Sequence, residues 1–141
     1  SGNGFTYALA GKYLDNYFMY GLHQNYNNEA ILSQIEANPK LKPIFFDDIL
    51  KGVEDENFLS AIGSVAGLEI DLDCIQNVLA SAETPSGFAV NDIRKLILTN
   101  EKKFSYLHIS EGATRLLDGR VSKLTSKLIA YLVSDFIKAQ A

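Results

Sequence analysis

Glu69-Ile70-Asp71-Leu72-Asp73 closes the apolar stretch Ala61–Leu68 with two aspartates set two residues apart. In an extended chain such residues project to the same side, with about 7 Å between their Cα atoms. Two carboxylates side by side at the end of a buried strand repel unless a positive group sits between them. A divalent cation answers that repulsion with hard-oxygen ligands. Two further polar clusters follow apolar runs: Ser110-Glu111 after LHI, and His23-Gln24 after YFMYGL. Each has an ordinary role when taken alone: a solvated acidic turn for the aspartates, a neighbour of a helix start for Glu111, a loop hydrogen-bonder for His23. Open α/β sheets place their chemistry in loops at the carboxyl ends of strands. Three polar clusters expected at one such edge make a constellation.

The elements that would position them alternate. Tyr17–Leu22 reads as a buried strand, Ile44–Phe46 as a second introduced by Pro43, Val65–Leu72 as a third and Phe104–Ile109 as a fourth. Asn27 or Asn28 can cap a helix carrying Ile31, Leu32 and Ile35 inward, stopped by Asn38-Pro39. A helix is expected over Asp55–Ile62, with Gly63 at its end. Another runs over Val90–Leu98 with Val90, Ile93, Leu96 and Ile97 inward. Phe5–Leu14 is a weaker helix candidate because of Gly11. The terminal helix, Ser122–Lys138, places Leu124, Leu128, Leu132 and Phe136 at steps of four, flanked by Ile129, Val133 and Ile137, a stripe wide enough to cover a sheet. Alternating strands and helices predict a single α/β domain over residues 1–141, a layer structure with a mostly parallel sheet.

The chain of 141 residues can bury a real core, and its 47% hydrophobic and 21% charged content is ordinary for a globular domain. A net charge of −4 without a basic stripe argues against nucleic acid. The single Cys74 cannot form an internal disulfide and fits a reducing, cytoplasmic setting. No apolar run reaches membrane-spanning length. His108 lies within the fourth strand, off the direction of Glu111, and reads as a satisfied core or layer-facing histidine. Asp47-Asp48 reads as a helix start. Cys74 has no histidine placed to activate it and reads as structural. Gly2-Asn3-Gly4 lacks a dinucleotide loop's third glycine, and there is neither a Gly-Lys-Ser/Thr phosphate loop nor a Gly-x-Ser-x-Gly elbow. A phospho-acceptor receiver domain would carry its acid pair after the first strand.

Three stretches resemble the arginase/agmatinase/formimidoylglutamase (ureohydrolase) family. LEIDLDCIQNVLASAETPSGF, residues 68–88, is similar to the family's strand-end Asp-x-Asp and the loop that follows it. YLHISEGATRLLDGRVSKLTSKLIAYLVSDFI, residues 106–137, resembles the closing strand, its Glu, an Asp-x-Arg-like element at Asp118-Gly119-Arg120, and the final helix. Ser1-Gly2-Asn3 is similar to a substrate-loop Ser-Gly-Asn. ETPSGF and SEGA look closest to the formimidoylglutamase-like branch. The resemblance implies a binuclear Mn²⁺ hydrolase on a three-layer αβα fold. Asp71 would match the carboxylate bridging both metals and Asp73 the ligand of the second. Glu111 would match the catalytic-site acid receiving the substrate's cationic carbon, and Asn3 a substrate-binding residue. Paired metals about 3.5–4 Å apart activate water near neutral pH, and hard oxygens suit Mn²⁺.

The chain also departs from the family pattern. It has no Asp-x-His-x-x-x-Asp element, its only histidines are His23 and His108, and Gly4-Phe5 stands where arginases carry a histidine after Ser-Gly-Asn. Gln24, Asn25 and Tyr26 stand where an acid is expected. The expectation is therefore the C-terminal part of a longer enzyme, cleaving a linear amidine or guanidine C–N bond other than arginine's. The 141-residue piece alone is expected to bind metal weakly, turn over nothing, and associate with itself through an open strand edge. The alternative is an inactive arginase-fold interaction domain.

Overall fold

The computed structural model describes residues 4–53 and 58–141; Asn3, with Ser1 and Gly2, lies outside them. The chain divides into two compact units, Ser1–Glu56 and Asn57–Ala141. Each contains one parallel two-stranded ladder with helices, a mixed α/β arrangement.

In the first unit, helix α1 (Gly4–Ala10) precedes strand β1 (Tyr17–Leu22), helix α2 (Glu29–Ala37), strand β2 (Leu41–Phe45) and helix α3 (Phe46–Leu50). Asn28 caps α2, its Oδ1 accepting from the Ile31 amide at 2.9 Å. Ile35 is the buried residue of this helix, whereas Ile31, expected inward, is exposed. β2 pairs with β1 from Tyr17↔Leu41 to Leu22↔Phe45. Pro43 lies inside β2 rather than before it, opposite Met19. A proline fits there because β2 has no second partner strand among the described residues, and an edge strand can lack an amide donor. Asp47 and Asp48 fall in the first turn of α3, where negative charge suits the helix dipole.

The second unit holds helix α4 (Phe58–Ala61), strand β3 (Leu68–Asp71), helix α5 (Val90–Thr99), strand β4 (Leu107–Ser110) and helix α6 (Leu124–Gln140). Residues 55–57 of the helix expected over Asp55–Ile62 lie outside the described residues. Gly63 does not take the left-handed conformation expected at that helix's end. Lys102 Nζ instead donates to the Ile62 carbonyl and, at 3.1 Å, to the Gly63 carbonyl. β3 pairs with β4 in register, Leu68↔Leu107 through Asp71↔Ser110. Leu72, Ile75, Ala80 and Leu132 are fully buried, with Ile70, Phe88, Ile93, Ile97 and Leu128 around them.

α6 buries a narrower stripe than its sequence implied: Thr125, Leu128, Leu132 and Asp135 face inward, while Leu124 and Ile137 are exposed. The helix packs against α5 more than against β4, so its inner face meets a helix more than a sheet. No helix among the described residues is long and apolar enough to cross a membrane.

Candidate functional site: a carboxylate cluster at the β3–β4 edge

β3 ends at Asp71, and the chain turns at once into a 3-10 helix, Leu72–Cys74. The two aspartates therefore meet across a tight turn, not by the strand alternation expected. Leu72 sinks into the core with no exposed surface, which holds the turn against the sheet. Asp71 is exposed and Asp73 half-buried. The Asp73 carboxyl is pushed up to about 6: burial contributes most, then the charge of Asp71, a hydrogen bond with Asp71, and the charge of Glu111. Asp71, Asp73 and Glu111 thus share one electrostatic site. In register, β4 brings Ser110 opposite Asp71, and Glu111 follows immediately.

Glu111 has φ 59°, the left-handed region that non-glycine residues rarely occupy. Its carboxylate Oε2 accepts from Ser81 Oγ at 2.9 Å. Next to it, Gly112 pairs with Ala80 in an antiparallel bridge, and the Ala113 amide donates to the Leu79 carbonyl at 3.0 Å. A Cβ on Gly112 would lie 2.4 Å from Leu72 Cδ1, so any side chain here would have to displace the buried Leu72. The loop after the aspartates is equally tight. A Cβ on Gly87 would lie 2.4 Å from the Cys74 carbonyl oxygen, and the Phe88 amide donates to that oxygen at 2.9 Å. Thr84, almost fully buried, hydrogen-bonds both ways with Ser86, donating to its carbonyl and accepting from its amide.

Cys74 is free, and burial first, then the charges of Asp71 and Asp73, push its thiol up to about 12. A thiol so reluctant to ionise is a poor nucleophile, which agrees with a structural reading. His108 differs from expectation. It is exposed, and its Nδ1 lies 3.6 Å from Glu69 Oε1 on the paired strand position. The two-residue alternation that turns Ile70 and Ile109 inward turns His108 and Glu69 outward together.

His23 follows β1, which pairs with β2 and not with β3 or β4, so the three clusters expected along one sheet edge lie on two ladders. Its ring stacks on Phe46 at 4.6 Å and meets Tyr26 edge-on at 5.5 Å. Its backbone carbonyl accepts from Asn27 Nδ2 at 2.7 Å, whereas the imidazole Nε2, expected to hydrogen-bond within the loop, is buried without a partner among the described residues.

Ser81 was not foreseen, because one serine in a loop carries no signal by itself. Only its position immediately after the buried Val78–Ala80 run, opposite the strand-end acid, marks it out.

Among the described residues no three or more His, Cys, Asp or Glu side chains are disposed to hold a metal ion by themselves. The donor chemistry still suits a hard cation: Asp71 and Asp73 offer carboxylate oxygens whose crowding a positive charge would relieve. No family model, curated protein or solved structure matches this chain.

Proposed function

We propose that this chain carries the carboxylate part of a Mn²⁺-dependent hydrolase that cleaves a C–N bond of a linear amidine or guanidine, of the ureohydrolase kind. The crowding of Asp73 by Asp71 and Glu111 at the carboxyl edge of a parallel ladder is the observation that supports it. Asp71 and Asp73 would hold Mn²⁺, which when bound supplies Lewis-acid activation of water. Glu111 would accept charge-assisted hydrogen bonds from the cationic amidine group and orient its carbon. Further ligands would come from a preceding part of the same protein, and the two ladders would belong to a three-layer αβα arrangement. Cytoplasmic location, a small-molecule substrate, self-association and a substrate contact at Asn3 belong to the same reading. A second reading is an inactive interaction domain of the same fold.

Paramagnetic broadening tests the proposal. Substoichiometric Mn²⁺ added to the chain should broaden the amide resonances of residues 71–74 and 110–112 first, and the pair D71N/D73N should lose that pattern. Uniform broadening, or the same pattern in the double variant, would remove the metal role and favour the second reading.

A further inference from the structure

Two loops meet over the carboxylate cluster, and their contacts are of two kinds. The inner contacts are backbone pairings onto the buried Leu79 and Ala80: Ala80 with Gly112, and the Ala113 amide with the Leu79 carbonyl. The outer contacts are side-chain bonds at exposed positions. Ser81 donates to Glu111 Oε2 at 2.9 Å, and Arg120 pairs at once with Glu83 and, at 2.8 Å, with Asp118 Oδ2. Arg120 is itself presented by a tight hairpin, in which the Leu116 amide donates to the Arg120 carbonyl at 3.0 Å around Gly119 at φ 92°. Arg120 thereby ties the segment that carries Ser81 to the segment that follows Glu111.

Glu111 needs such support. Its left-handed backbone persists only where surroundings hold it. No hydrogen bond to its side chain other than that from Ser81 is made among the described residues. A carboxylate held at one lone pair of Oε2 is fixed in its plane, and the free lone pairs of its two oxygens can then meet a planar, two-pronged cation.

We propose that Ser81 and Arg120 are positioning residues for Glu111: Arg120, through Glu83, latches the Ser81 loop, and the Ser81 hydroxyl fixes the carboxylate for an amidinium cation. The proposal rests on the amidine reading of the site, and its test separates the two.

The test uses the whole chain as unmodified protein and as S81A, S81T, R120Q and E111Q, each first shown to be folded by its thermal transition. Two quantities are measured: the rotamer distribution of the Glu111 side chain, from its Hα–Hβ scalar couplings, and the affinity for formamidinium, from amide shift changes in a titration. Positioning requires one dominant Glu111 rotamer in the unmodified chain and in S81T, averaged rotamers in S81A and R120Q, and formamidinium binding at least threefold weaker in those two variants. One rotamer retained in both S81A and R120Q, or averaging already present in the unmodified chain, overturns the positioning role. E111Q separates the underlying reading. Formamidinium bound equally by E111Q and the unmodified chain overturns the amidine site itself, even where the couplings show that Ser81 orders Glu111.

Discussion

Arg94 on α5 and Asp135 on α6 form a two-point ion pair, Nε to Oδ2 at 2.6 Å and Nη2 to Oδ1 at 3.2 Å, with Asp135 1% exposed. The guanidinium also lies over the Tyr131 ring, 5.0 Å from its centroid. Asp135 is the one acid inside the terminal helix's inner stripe, and Arg94, first through its hydrogen bond and then through its charge, holds its carboxyl below the usual carboxylate range. Breaking one half of such a pair leaves an uncompensated charge between two packed helices.

R94M should therefore cost about 3 kcal/mol of unfolding free energy, whereas R94M combined with D135L should recover most of it. Urea denaturation at pH 7 measures both. The linkage has a definite sign: Asp135's lowered carboxyl lends stability that is complete above the ordinary carboxylate range and is lost as pH falls from that range through the lower folded value. Equal stability of R94M and the unmodified chain at pH 7 would show that the pair contributes nothing.

Gly87 and Gly63 make a matched comparison in one unit. A methyl group at Gly87 meets the Cys74 carbonyl oxygen at 2.4 Å, a backbone atom that cannot swing aside, while one at Gly63 meets nothing within 4 Å. G87A should lose about 1–3 kcal/mol, and G63A should stay within about 0.5 kcal/mol of the unmodified chain. Thermal denaturation of the two variants checks the contrast, and similar transitions for both would show that the 74–88 backbone yields easily.

These contacts also show what was readable in the sequence. The Tyr17–Leu22 strand and the Val90 start of α5 were legible because apolar runs flanked by polar loops announce themselves locally. The third and fourth strands were read too long at their starts, since Val65 and Phe104 are apolar yet lie outside the ladder. The meeting of Asp71, Asp73 and Glu111 was foreseen on the wrong ground: a 3-10 turn anchored by Leu72, not strand alternation, brings the aspartates together. The division of four strands into two ladders, the Ser81–Glu111 bond and the Arg94–Asp135 pair were not legible. Each depends on residues 30 or more positions apart, or on which strands choose to pair, and local periodicity carries no such information. The identity of Gly87 stood in the sequence, but its necessity appears only from the backbone atoms a Cβ would strike.

Cys74 should be almost inert in the folded chain. With its thiol pushed up to about 12, the thiolate fraction at pH 8 is about a thousandfold below that of an ordinary cysteine. Reaction with an aromatic disulfide reagent, followed by absorbance, should be correspondingly slow in buffer and fast in 6 M urea, taken as a roughly denaturing condition. Fast reaction of the folded chain would mean that the turn after Asp73 opens readily.

The Asp73 carboxyl supplies the sharpest electrostatic test. Its folded value of about 6 lies above the ordinary 3.8 because it is partly buried and faces Asp71 and Glu111. The folded chain thus keeps a proton that the unfolded chain has already released. That contribution is complete below the ordinary carboxylate range and disappears as pH rises towards 6. D73N keeps the side chain neutral at every pH and escapes the loss. Its transition should match that of the unmodified chain near the bottom of this window and exceed it by about 2–4 °C at neutral pH, a modest figure because the site is open to solvent on the Asp71 side. Mn²⁺ at neutral pH should raise the unmodified chain's transition and leave that of D73N unmoved, since the cation replaces the missing positive charge only where both carboxylates remain. A transition difference that stays constant from acid to neutral pH would show that Asp71 and Glu111 do not burden Asp73, and the crowding on which the cation site depends would be absent.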